Sequence, residues 1–269
     1  LASFRADGFI GQMIGIARMT IAVRDFAPIV DRARATGCAL EVFGEVEGLP
    51  LLAARVGAGE PEALLIAGTH GDEPATVEAA LQLLEHFPTH WLDRFGVDVL
   101  PCTNPIGWRQ GTRENGCGID INWAFDREGI AEVDILRRFL RGRRWQVGVD
   151  FHEDWEATGF YLYEHQKQSH FIGPAVTASV EPVCALEPAT QIDGWPAEGA
   201  VIHADDSVER LQRGDGLPLI LLRDHTDHKL TTETPTCLPM ETRVRAHHTA
   251  LEAIVDHHLN DSHHPRSTS

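Results

Sequence analysis

The stretch that most restricts what this chain can fold into is the apolar run Ala63–Ala67, continued as Gly68-Thr69-His70-Gly71-Asp72-Glu73-Pro74. A short unbroken apolar run suits a strand that is covered on both faces. From Ala75 to Phe87 the pattern turns helical, with Val77, Ala80, Leu81 and Leu84 on one face. Pro74 suits the first helical turn, where its missing N–H costs nothing, and Gly71 lets the chain turn sharply. At this seam between strand and helix, His70 and Glu73 can point at one metal ion.

The rest of the chain interleaves strands and helices in the same way. A helix is predicted over Asp25–Thr36, then a hairpin of Cys38–Val46 and Leu49–Val56 around Glu47-Gly48. Strands are predicted at Leu64–Thr69, Val97–Cys102, Gln146–Phe151, Gly159–Tyr163, Leu217–Arg223 and Leu230–Thr232. Further helices are predicted at Glu132–Leu140, Phe171–Val180 and Met240–Leu259. Residues 103–130 read as a long ordered loop, of the kind usually kept for function. The fold class is α/β: a single domain with a mixed, mostly buried sheet flanked by helices. The expected division is an N-terminal extension at 1–22, the domain at 23–260 and a frayed tail at 261–269.

Charge narrows the function classes. Lys and Arg number 23 against 40 Asp and Glu, a net charge of −17. That argues against a phosphate-tracking surface and so against a nucleic-acid partner. No apolar run reaches the length of a membrane span, so no membrane partner is expected. Cys38, Cys102, Cys117, Cys184 and Cys237 are odd in number and hold no C-x-x-C, which suits free thiols in a reducing compartment. The first twenty residues lack a basic start and a clear cleavage site. A cytoplasmic location is therefore expected, although a start at Leu1 is compatible with a processed export signal.

Catalytic zinc takes three protein ligands and leaves one position for water. His70 and Glu73 supply two. His152, after the apolar strand ending at Phe151, supplies a third, with a hydrogen-bonded core histidine as its bland alternative. In the long loop, Arg113 could hold a developing oxyanion, with Arg109 as competitor. Asp120 could fix the tautomer of a ligand histidine, and Asn122 could bind a substrate carbonyl or carboxylate. Glu233, ending an otherwise uncharged strand, is the candidate general base for a metal-activated water. Its rival Glu241 sits in a first helical turn, where the helix dipole alone explains an acid. The acidic run Glu153, Asp154, Glu156 could favour a cationic substrate group. His247, His248, His257, His258, His263 and His264 read as a solvated face of the last helix and tail, while His225 and His228 could line a pocket mouth.

In order along the chain, His70-Gly71-Asp72-Glu73, Asn104-Pro105 with Arg113 through Asp120-Ile121-Asn122, Asp150-Phe151-His152 and Thr232-Glu233 resemble the zinc carboxypeptidase family of metallopeptidases (family M14). The resemblance runs from about Glu41 to Leu259 and is strongest to the short bacterial type. It extends to the related deacylases of N-acyl amino acids, such as succinylglutamate desuccinylase and aspartoacylase. It implies one zinc ion on His70, Glu73 and His152, Arg113 polarising the scissile carbonyl, Asp120 supporting a ligand histidine and Glu233 as base. The implied substrate is a small peptide or an acylated amino acid, cleaved at an amide bond. A catalytically weak binding protein on the same fold is the alternative. The family usually has Asn-Arg where this chain has Asn122-Trp123, and that Arg binds the substrate's terminal carboxylate. Trp cannot replace a bidentate guanidinium. Either another arginine serves (Arg109, Arg127 or Arg223), or the substrate lacks a carboxylate there. The family's mobile substrate-capping Tyr has no evident counterpart.

Overall fold

A computed structural model describes residues 23–58, 61–168 and 170–261. The expected extension at 1–22 lies outside the described residues, as does the expected tail apart from Asp261. The chain opens with α1 (Ala27–Ala35) and the hairpin β1 (Ala39–Val46) and β2 (Leu49–Val56). Next come β3 (Pro61–Ile66), α2 (Pro74–Glu85), β4 (Gly96–Leu100) and α3 (Pro105–Gln110). After a 3-10 turn at Ile121–Trp123 follow α4 (Ala131–Leu140), β5 (Val147–Asp154), β6 (Tyr161–Gln166) and α5 (Gly173–Val180). Three short strands, β7 (Gln191–Ile192), β8 (Trp195–Glu198) and β9 (Val201–Ile202), precede α6 (Asp206–Arg213) and α7 (Leu217–Ile220). β10 (His228–Pro235) and α8 (Met240–Asp261) complete the order.

The strands form one mixed sheet in the order β1-β2-β4-β3-β5-β10-β6-β9-β8-β7. Its centre, β4-β3-β5-β10, is parallel. Alternation along β3 explains the opening apolar run. Ala63, Leu65 and Ala67 join the core under α2, α5 and α8. Leu64 and Ile66 join a second core under α4 and α7. With helices on both faces, neither side of the strand tolerates a polar residue.

Two predicted elements differ. The Leu217–Arg223 run is helical, as α7 and a π-helical turn at Leu221–His225. Leu217, Ile220 and Leu221 bury against Ile121 and α4, so burial in the helical layer gives the same apolar run as a buried strand. Pro218 in the first turn was the local signal for a helix. The loop at 103–130 also carries α3, begun by Asn104, whose side chain accepts from the Gly107 N–H.

Charge, as well as apolar contact, locks α2 to the sheet. Glu153, near the end of β5, accepts the Ala75 N–H at 2.7 Å, in the first turn of α2. Its other oxygen binds Arg243 of α8. Both side chains are largely buried. Glu153 is therefore committed to a helix N-terminus and a buried ion pair. Arg243→Met leaves a buried carboxylate without its cation and is expected to cost about 3–5 kcal/mol. Urea unfolding measures the loss, and a change under 1 kcal/mol on that scale would show the pair contributes little.

Candidate metal centre

The C-terminal ends of parallel strands in an open α/β sheet are where side chains converge on a ligand. Here the ends of β3, β5 and β10 open into a cleft of about 520 Å³. His70 and Glu73 reach it from the loop between β3 and α2, and His152 from β5. Gly71 serves this loop in a way other than a left-handed turn. A Cβ there would lie 1.9 Å from the carbonyl carbon of Gly107, so α3 packs its backbone directly on the loop. The left-handed turn falls at Gly68, φ 61°.

His70 Nε2 donates to Asp120 Oδ1 at 3.1 Å, and His152 Nε2 donates to Asp150 Oδ2 at 3.0 Å. Carboxylates only accept, so these contacts put a hydrogen on Nε2 of each ring. The two Nδ1 atoms then turn lone pairs toward each other, 3.1 Å apart. They also face Glu73, at 2.6 Å from Oε1 and 3.0 Å from Oε2. Glu73 Oε2 is buried without a hydrogen-bond partner. Electron-pair donors crowded this way repel one another unless a cation sits among them. The donor set therefore fits a divalent metal, and two nitrogens with one carboxylate suit zinc.

Without a metal, protons fill that role. Burial pulls the His70 imidazole down, but the Glu73 charge and hydrogen bonds to Asp120 and Glu73 outweigh it and raise it. Burial likewise opposes His152, which Asp150 and Glu73 hold well above the ordinary histidine value. Burial pushes Glu73 up, yet the two imidazoles together hold its carboxyl far below the usual range.

The sequence reading named Asp150 within a motif but gave it no role. A Asp-x-His pair on one strand face was the signal for it. Asp120 does double duty, since its Oδ2 accepts from Arg113 Nε at 3.1 Å. Arg113 Nη1 also lies 3.5 Å from Glu73 Oε1. One carboxylate thus links a candidate metal ligand to the candidate oxyanion residue.

Glu233 pairs with His152 in register on adjacent parallel strands, so the two side chains share a face of the sheet. Burial drives its carboxyl well above the ordinary glutamate value, with His152 opposing and the Glu73 charge adding to the rise. Glu233 lines the cleft, whereas Glu241 is exposed in the first turn of α8.

Asn122 is buried at the cleft wall with its Oδ1 unpartnered. Trp123 also lines the cleft, and the Arg213 guanidinium lies 5.1 Å from its ring centroid. Arg109, expected at the site, lines a separate depression beside α1 instead. Its backbone carbonyl there accepts the Arg24 N–H. Arg223 is also absent from the cleft wall, being paired with Asp215 and Asp224. Arg127 is absent as well. Besides Arg113, the arginine that lines the cleft is Arg213, on a helix that the sequence reading left unassigned. Tyr161 and Tyr163 line the cleft from β6, with hydroxyls donating to Asp154 and Asp193, both at 2.9 Å.

Histidines expected on a solvated face behave otherwise. His247 is fully buried, between Thr232 and Thr234 and stacked on Phe151 at 4.4 Å. Burial pushes it down to about 3. His258 is buried too, bonded to His228. His228 is bound to Glu164 at 2.8 Å and His225 to the Arg143 carbonyl, so neither lines the cleft.

No family model matches the chain. Among solved structures, it superposes on a candidate metallopeptidase from Shewanella amazonensis with a TM-score of 0.72 and 23% identity, covering 86% of this chain and 91% of that one. It superposes on carboxypeptidase A from Helicoverpa armigera with a TM-score of 0.63 and 14% identity, covering 87% of this chain and 72% of that one. The fold is that of the metallocarboxypeptidases. A curated relative, murein peptide amidase A from Vibrio campbellii, is 36% identical over 76 residues. That match spans 28% of this chain and only 29% of the relative's length. Among the described residues, no helix is long and apolar enough to cross a membrane.

Proposed function

We propose that this carboxypeptidase-fold chain is a zinc-dependent hydrolase of the M14 type, which cleaves an amide bond in a small peptide or an acylated amino acid. The observation that carries this reading is the convergence of His70 Nδ1, His152 Nδ1 and the Glu73 carboxylate on one point, with Glu233 beside them on the same sheet face. A binding protein would have no need of a partly buried carboxylate at that place. Metallopeptidase and carboxypeptidase names among the structural neighbours, and an amidase as the sequence relative, support the reaction class.

When bound, zinc supplies Lewis acidity toward the scissile carbonyl and lowers the pKa of water. Glu233 takes the proton of the attacking water, then hands it to the leaving amine. Arg113, held by Asp120, faces the negative charge that develops on the carbonyl oxygen. Asn122, with a free amide oxygen in the cleft wall, accepts from a substrate N–H. Arg213 takes the part of the arginine that Trp123 displaces. Its guanidinium lies on the indole face beside the cleft and is paired with Asp193, which a substrate carboxylate would replace as its partner.

The test is a panel of small peptides with free C-terminal carboxylates, the same peptides amidated, and N-acyl amino acids. Metal-replete protein is expected to release amine from the free-carboxylate members. Arg213→Ala is expected to raise KM for these by about one to two orders of magnitude, the value of a charge-assisted hydrogen bond, with little change in kcat. The amidated peptides should be insensitive to that substitution. If metal-replete protein hydrolyses nothing in the panel, the reading fails.

A further inference from the structure

His165 and Glu209, which line the same cleft, form a second set of metal-binding groups with Asp206. His165 comes from β6, and Asp206 and Glu209 from one face of α6, three residues apart. One donor atom from each lies within 4.8 Å of the others. His165 Nδ1 lies 2.7 Å from Asp206 Oδ1, and its Nε2 lies 3.9 Å from Glu209 Oε2.

Glu209 is the independent observation. It is 5% exposed, lines the cleft, and its Oε2 has no hydrogen-bond partner. Among the described residues it is also the one buried side chain of α6, while Leu211 on the same helix is 87% exposed. A helix normally docks through an apolar stripe. This one turns a carboxylate inward, which costs free energy unless a cation meets it. Lys229 and Arg213 are the nearby basic groups acting on Glu209. Lys229 is spent on the Leu230 carbonyl and Thr231 Oγ1, and Arg213 on Asp193.

We infer that a divalent metal ion binds between β6 and α6 on His165, Asp206 and Glu209, separately from the His70–Glu73–His152 centre. One imidazole and two carboxylates suit zinc or manganese. The ion pins α6, and Arg213 at its end, against the sheet. This site requires neither the reaction proposed above nor an occupied first centre.

The experiment strips the full chain with a chelator, titrates it with Zn²⁺ and counts bound metal by mass spectrometry after gel filtration. Wild type is expected to bind two equivalents. Glu209→Gln is expected to bind one, and His70→Ala also one, because each variant loses a different site. Asp206→Asn alters an exposed side chain, cannot upset the core, and should weaken the second equivalent about tenfold or more. Amide exchange in α6 should slow when the second equivalent binds, in wild type and in His70→Ala. A single equivalent in wild type that Glu209→Gln leaves in place would overturn the site. So would a second equivalent that survives both Glu209→Gln and Asp206→Asn, since it would then lie elsewhere, such as on the histidine-rich end of α8.

Discussion

Glu233→Gln is expected to keep its metal and lose about two to four orders of magnitude in kcat, the usual scale for a general base. The substitution is nearly isosteric and its site is not a ligand position, so the centre on His70, Glu73 and His152 should load normally. What is lost is the ability to accept a proton. The register of β10 on β5 places Glu233 level with His152, at the ends of adjacent parallel strands. Its position relative to the centre is therefore set by backbone hydrogen bonds and not by a flexible loop. Burial raises its carboxyl well above the ordinary value, nearer the working pH, which is what an efficient base needs. In wild type, kcat/KM should fall as pH drops through this raised value. In the Gln variant that acid limb should disappear with the activity. Near-normal turnover with full metal content would remove Glu233 from the mechanism.

How much of this was legible in the sequence depended on whether a signal was local. The seam at His70–Glu73 could be read because strand, turn and helix follow one another within a few residues. The α1 helix and the β1-β2 hairpin were readable for the same reason, down to the turn at Glu47-Gly48, where both residues have positive φ. His152 and Glu233 stood out as polar groups at the ends of apolar strands. The failures needed knowledge of what packs on what. Leu217–Arg223 carries an apolar run that burial in a strand and burial in a helix produce equally well. His247 looked solvated because its helix is rich in polar residues, yet it points at Thr232 and Thr234 from the packed side. Glu153 looked like part of an acidic patch until α2 and α8 supplied its N–H and its arginine. Spacing could not tell that Arg213 lines the cleft and Arg109 does not. The Arg213 partner, Trp123, is ninety residues away in the chain, and only the fold brings α6 over the indole.

Metal removal is expected to have the other large effect, and its size should depend on pH in a definite direction. In the metal-free protein both imidazoles are raised above the ordinary value of about 6.5. A raised group contributes stability that is fully present below its unfolded pKa and is lost as pH rises through its folded value. Glu73 is lowered, so its contribution is present at neutral pH and is lost only in strong acid. Metal-free protein should therefore lose stability as pH climbs above about 6.5, as the protons that hold the donors together leave. Metal binding has the opposite slope, because the ion must displace those same protons. At a thousandfold excess over Kd the ion adds about 4 kcal/mol. For a chain of this size that is a rise in Tm of about 8–16 °C. The rise should be small at pH 5.5, where protons compete, and largest near pH 8.5. His152→Ala should abolish both the rise and the hydrolysis, and it should leave Asp150, fully buried, without the imidazole that it now accepts from. Thermal melts with and without zinc across this pH range decide the matter. A metal increment that is independent of pH, or that survives in His152→Ala, would mean that the ion binds somewhere other than the three donors at the ends of β3 and β5.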